Sequence, residues 1–154
     1  MMTTLTDKEK QRNWLEVLSK HGLRISAAQK ALVAVLCTAE NPLSADDVQE
    51  AVQRIRPKTG RATVYRFLDK LTALGLLQRI HGYRNCNTYF RSFVPYQAVV
   101  VCTQCGKVTE LENSLQNQVF EVIETAANDL DRHHITSCHL QLLGTCIACQ
   151  TEPT

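Results

Sequence analysis

The chain has 154 residues, of which 44% are hydrophobic and 21% charged, enough for one good core or two small ones. No apolar run approaches the roughly 20 residues that a membrane helix requires, and no signal segment is apparent, so a cytoplasmic protein with no membrane partner is expected. The net charge of +2 conceals a division near Pro95: residues 1–94 hold fifteen Lys/Arg against eight Asp/Glu, and residues 95–154 hold two against seven. Only the first part is suited to meeting a polyanion.

Residues 7–20 place Trp14, Leu15 and Leu18 on one face at helical spacing, with Gly22 as a stop. Ser26 can cap a second helix, AAQKALVAVLCT, with a broad apolar face of Leu32, Val33, Val35 and Leu36 and with Cys37 as core. Pro42 breaks the chain, and Ser44 caps ADDVQEAVQRI, whose Asp46 and Asp47 suit the positive end of the helix dipole. Thr59 and Gly60 lead into RATVYRFLDKLTAL, which Gly75 terminates. Val64, Phe67, Leu68, Leu71 and Leu74 recur there at three and four, and the other face begins with Arg61, Thr63, Tyr65 and Arg66.

After Gly75 the period becomes two: LLQRIH and NTYFRSF read as strands joined across Gly82-Tyr83-Arg84-Asn85. Helices followed by a hairpin describe a winged helix-turn-helix over residues 1–92, whose second motif helix enters the major groove of double-stranded DNA. Tyr65 can offer its ring to a thymine methyl, and Arg61 or Arg66 can reach guanine or phosphate, with Thr63 beside them. Arg24, Lys30, Arg56, Lys58, Arg84 and Arg91 are expected at phosphates or on the wing. A charged amphipathic helix lying on a core, without DNA, is the competing interpretation of each basic residue.

A hinge is expected over residues 93–97 around Pro95, followed by a second domain over 98–154. AVVV and KVTELE read as strands on either side of Cys102 and Cys105, with Gly106 in the turn. SLQNQVFEVIETAANDL reads as a helix capped by Ser114, with Leu115, Val119, Val122, Ile123 and Leu130 toward the core, and HHITSCHLQLLG as a strand. The whole is an α+β protein, its second part a β-β-α-β unit small enough to need a staple.

Two Cys-x-x-Cys pairs, Cys102/Cys105 and Cys146/Cys149, supply four sulfurs of the kind that surround a structural zinc, one per chain. Disulfides fit less well, given seven cysteines and an expected reducing compartment. A redox Cys-x-x-Cys would not need a second pair. No open three-ligand zinc site, Ser/His/Asp grouping or phosphate-cradling loop suggests an enzyme. Unpaired sheet edges and an apolar helix face suit a homodimer.

GLRIS, LSADDV, ATVYRFLDKLTALGLL and the pair CTQCGKV/GTCIAC make the chain resemble the ferric uptake regulator family of metal-dependent repressors, over roughly residues 20–150. The resemblance implies a homodimer that binds AT-rich inverted repeats when a regulatory metal is present. It also implies structural zinc at Cys102, Cys105, Cys146 and Cys149, and DNA contacts from Tyr65, Arg66 and Arg24.

The chain departs from the family's sensor pattern. VPYQAVVV holds no histidine, and Pro42, Phe90, Asn117 and Cys138 stand where ligands are often found, while Glu110 is retained. The candidate sensor residues are therefore Glu110, His81, Cys86, His133 and Cys138, with His134 and His139 nearby. Imidazole and thiolate favour a second, regulatory zinc over Fe2+, which resembles the zinc uptake regulator branch and points to a repressor of metal-uptake genes. The alternatives are a family repressor sensing iron, another metal or an oxidant, and a zinc-stapled protein-interaction module.

Overall fold

The computed structural model describes residues 6–81, 88–92, 96–131 and 135–151. The chain divides into two compact units, residues 1–79 with 87–93, and residues 80–86 with 94–154.

The first unit is built on helices whose starts are fixed locally. Thr6, Ser26 and Ser44 each accept a hydrogen bond from the backbone of the third helical residue and donate their own backbone N–H to its side chain, which sets the N-termini of α1 (Asp7–Lys20), α2 (Ala27–Thr38) and α3 (Ala45–Ile55). The next helix, α4 (Arg61–Ala73), starts at Gly60 without a side-chain cap. Gly75, at φ 73°, ends it by donating to the Thr72 carbonyl at 3.0 Å. Trp14, Leu18, Leu32, Val33, Leu36, Val64, Leu68 and Leu71 fill one core between these helices, as their spacing predicted, and Val48 and Val52 of α3 join them.

Strands β2 (Leu77–Ile80) and β3 (Thr88–Arg91) form the wing, and a two-residue strand that the sequence did not suggest, β1 (Leu43–Ser44), pairs with β3. The register sets Leu43 against Tyr89 and Ser44 against Thr88, in the order β1-β3-β2. The short β1 thus ties the start of α3 to the wing, which with α4 completes the winged-helix arrangement. The expected turn at Gly82–Asn85 and the Pro95 hinge lie outside the described residues.

The second unit is a three-stranded sheet in the order β5-β4-β6, with a long helix in the crossover. Strand β4 (Tyr96–Cys102) runs antiparallel to β5 (Val108–Glu110) and parallel to β6 (Cys138–Gly144); α5 (Asn113–Asp131) makes the crossover that parallel pairing requires. A last short helix, α6 (Ile147–Thr151), was not foreseen.

Three expectations for this unit are corrected. Helix α5 begins at Asn113, so Ser114 is already inside the first turn and is not the cap. Among its described side chains the buried ones are Gln116 and Phe120 and the expected Val119 and Ile123 are half-buried, whereas Leu115 is 50% and Val122 69% exposed; Leu130 lies outside the described side chains. Gln116 explains the rotation: its Oε1 accepts the Ala98 N–H at 3.3 Å and its Nε2 donates to the Leu111 carbonyl at 2.5 Å. That amide aims the 116/120 face at β4 and leaves neighbouring apolar residues outward. The last strand begins at Cys138, where its partner Tyr96 begins, with Ile135, Thr136 and Ser137 before it and not in it; His133 and His134 lie outside the described residues.

Candidate metal centre and nucleic-acid interface

The first cysteine pair sits on the turn that joins β4 to β5. The Cys102 N–H donates to the Lys107 carbonyl at 2.9 Å, and Gly106 donates to the Cys102 carbonyl at 2.9 Å. Gly106 has φ 77°, a conformation that a residue with a Cβ adopts only at a cost. The second pair lies where β6 passes into α6. Because β4 and β6 are parallel and end together, with Cys102 opposite Gly144, both pairs arrive at the same end of the sheet.

Cys102, Cys105, Cys146 and Cys149 place their sulfurs within 4.8 Å of one another. Four sulfurs about 2.3 Å from a central zinc stand about 3.8 Å apart, and Cys105 Sγ lies 3.7 Å from Cys146 Sγ. The Cys146 backbone N–H also donates to Cys102 Sγ at 3.4 Å. Hydrogen bonds from the backbone of Cys105 and then Cys146 hold the Cys102 thiol down at about 6. Hydrogen bonding to Cys146 and Cys105 pushes Cys149 up to about 12. Cys102 is therefore ready as a thiolate, and Cys149 ionises fully only opposite a cation. The cluster fits a metal that takes four thiolates.

On α4 the inward residues Val64, Phe67, Leu68 and Leu71 fix which face is outward. Arg61, Thr63, Tyr65 and Arg66 are all exposed on it. Arg61 Nη2 is 2.6 Å from Asp46 Oδ1 and 3.4 Å from Tyr65 Oη, and its guanidinium carbon lies 5.6 Å from the Tyr65 ring centroid. The Tyr65 hydrogen bond and the Asp46 charge raise the Arg61 pKa further above its ordinary value. Arg66 Nε donates to the Ala62 carbonyl at 3.3 Å.

Thr63 borders two grooves. One of about 290 Å³ is shared with Gln29, Arg66, Phe67 and Lys70, and one of about 460 Å³ with Arg56, Lys58, Thr59 and Gly60. Both carry cationic side chains beside the exposed face of α4, and Arg24 and Lys30 are exposed on the neighbouring segments. Sequence reasoning missed Lys70, which the helical period placed next to Arg66, and the pairing of Asp46 with Arg61.

The candidate sensor residues are not brought together in the same way. His81 follows β2, and its backbone N–H donates to Gln141 Oε1 at 3.2 Å. Glu110 closes β5 opposite Val99, while Cys138 opens β6 opposite Tyr96, so β4 lies between them. Among the described residues the four-cysteine cluster is the only group of three or more potential ligands. Phe90, at a position where the family often has a ligand, is buried with the Arg91 guanidinium 4.9 Å from its ring. Cys86, His133 and His134 lie outside the described residues.

A winged helix with a basic outward helix, followed by a small α/β unit with a four-thiol cluster, defines a metal-dependent DNA-binding regulator. The sequence model of the ferric uptake regulator family matches residues 20–140. The chain belongs to that family of metal-dependent transcriptional repressors. It is 30% identical over 141 residues to the ferric uptake regulation protein of Bacillus subtilis (strain 168), covering 89% of this chain and 92% of that one. Its fold is that of the Helicobacter pylori ferric uptake regulator, a protein with three functional metal-binding sites, at TM-score 0.69 and 19% identity over 100% of both chains. A zinc uptake regulator solved with zinc and DNA matches at TM-score 0.69 and 20% identity, over 96% of this chain and 97% of that one.

Proposed function

We propose that this chain is a zinc-responsive repressor of metal-uptake genes that acts as a homodimer on an AT-rich inverted repeat. Cys102, Cys105, Cys146 and Cys149 would hold one structural zinc, which cross-links the two ends of the second unit. Four thiolates select a borderline-soft ion such as zinc over a hard one. Tyr65, Thr63, Arg61 and Arg66 would face base edges or the phosphates beside them, with Arg24 and Lys30 on the backbone.

The observation that carries this reading is the separation of chemistry between the units. The outward residues of α4 and the cationic grooves belong to the first, and the four-thiol cluster to the second. A regulatory zinc would require ligands beyond the cluster, drawn from His81, Cys86, Glu110, His133 and Cys138. Because Glu110 and Cys138 stand on opposite edges of the sheet, they would contribute to such a site separately and not as a pair.

The test is zinc per chain by elemental analysis after dialysis with and without excess zinc, with DNA affinity measured in both states. The reading expects one zinc rising to two, and tighter, sequence-selective binding with the second. A value fixed at one, with affinity indifferent to added zinc, would remove the zinc-responsive part and leave the staple.

A further inference from the structure

We propose that Asp46 is a specificity-determining positioning residue of the nucleic-acid interface, holding Arg61 against Tyr65 and opposing DNA that offers Arg61 no better acceptor. This deepens the DNA-binding reading above and rests on it.

Asp46 and Asp47 occupy the first turn of α3 side by side, yet only one of them caps the helix. Asp47 Oδ2 accepts from the Ser44 N–H at 2.9 Å and from the Ser44 hydroxyl at 2.6 Å, and the Asp47 N–H donates to Ser44 Oγ at 3.1 Å. Asp46 instead reaches across to Arg61, fifteen residues on, at 2.6 Å. The side chains of this pair are 65% and 70% exposed, so the ion pair contributes little to stability. Its consequence lies in where it holds the guanidinium.

Arg61 is the first residue of α4, where the helix dipole disfavours a cation. Asp46 offsets that field, and the guanidinium comes to rest 3.4 Å from the Tyr65 hydroxyl and 5.6 Å from its ring. Carboxylate, guanidinium and phenol form one chain that restricts both outward side chains before DNA arrives, which lowers the ordering cost of a specific contact.

The same carboxylate gives selectivity by opposition. A guanine edge presented in register can replace Asp46 as the acceptor for Arg61, since a bidentate guanine contact is a strong one. Where the sequence provides no such acceptor, Arg61 remains with Asp46, and a carboxylate faces the phosphates. Discrimination then comes from a repulsive element as well as an attractive one. Replacing Asp46 by Asn frees Arg61 to take any phosphate and removes the opposing charge.

The test uses the zinc-loaded full chain, unaltered and as Asp46→Asn, Arg61→Gln and both. Two duplexes are compared by fluorescence anisotropy over a salt series: one enriched from a random pool by the unaltered protein, and a shuffled one of equal composition. Asp46→Asn is expected to tighten the shuffled duplex about threefold to tenfold and steepen its salt slope by about one, the signature of one added phosphate contact. Affinity for the enriched duplex should move less than about twofold, so the ratio falls. In the Arg61→Gln background the ratio should no longer respond to Asp46. An unchanged ratio in Asp46→Asn, or an equal fall with and without Arg61, overturns the proposal while leaving the repressor reading intact. Failure of the unaltered protein to enrich any sequence overturns both.

Discussion

Cys146 donates its backbone N–H to Cys102 Sγ at 3.4 Å, joining two residues forty-four positions apart at one end of the second unit's sheet. The bond forms because β4 and β6 are parallel and in register to their last residues, Cys102 and Gly144. Strand pairing therefore delivers the second cysteine pair to the first, and a metal held there would close what the sheet has already brought together.

Metal removal is expected to act on one unit. Apparent binding of a structural zinc is worth on the order of 10 kcal/mol, comparable to the whole stability of a small domain, about 5–15 kcal/mol. Chelation, or Cys149→Ser, should abolish amide-exchange protection across β4, β5 and β6 while α2, α3 and α4 keep theirs. Equal loss of protection in both units would show that the cluster is not a local staple.

Thiol chemistry separates Cys37 from the cluster. Cys37 is 1% exposed on α2, and burial pushes its thiol up to about 12, so it holds almost no thiolate near neutrality. In the metal-loaded protein an alkylating reagent should spare Cys37 and the four clustered cysteines alike. After chelation the four should react and Cys37 should wait for global unfolding. Mass spectrometry of the alkylated peptides reads this directly, and early modification of Cys37 would contradict its placement in the core.

The helix ends of the first unit give two stability tests of different origin. Ser44→Ala removes a reciprocal cap and should cost about 1 kcal/mol. Gly75→Ala meets no atom within 4 Å, so its cost comes from φ 73° alone, again about 1 kcal/mol. Urea unfolding followed by circular dichroism should show both midpoints lowered at unchanged slope. A neutral Ser44→Ala would mean that Asp47 holds the turn without it.

Much of the first unit was legible because its signals are local. Ser26 with Gln29, and Ser44 with Asp47, announce their helices within four residues. The cysteine pairs announce themselves by spacing. Strand β1 was not legible, because Leu43 and Ser44 become a strand only through pairing with Tyr89 and Thr88. The buried face of α5 was misjudged because Gln116, a polar residue, is drawn inward by the Ala98 N–H and the Leu111 carbonyl, which no helical period reveals. The Asp46–Arg61 pair was hidden for a related reason: the packing of α3 against α4 sets it, and not a fixed interval along the chain.

The outward face of α5 leads to a test of the homodimer. Leu115 and Val122 expose 50% and 69% of their surface, and Leu143 and Ile147 expose 59% and 79%. Isolated exposed apolar residues are ordinary, but several on one small unit suit a surface that another copy covers. Val122→Glu distinguishes these cases. On a free surface it should change stability by less than about 0.5 kcal/mol. In an interface it would bury a carboxylate without a partner, a cost of several kcal/mol, equivalent to a dissociation constant raised at least about a hundredfold. Asn117→Asp, on an exposed residue of the same helix turned away from the Leu115/Val122 stripe, controls for added charge. Sedimentation velocity over a concentration series should show Val122→Glu dissociating where Asn117→Asp and the unaltered protein stay dimeric. Equal association of all three would place the dimer contact elsewhere than this face of α5.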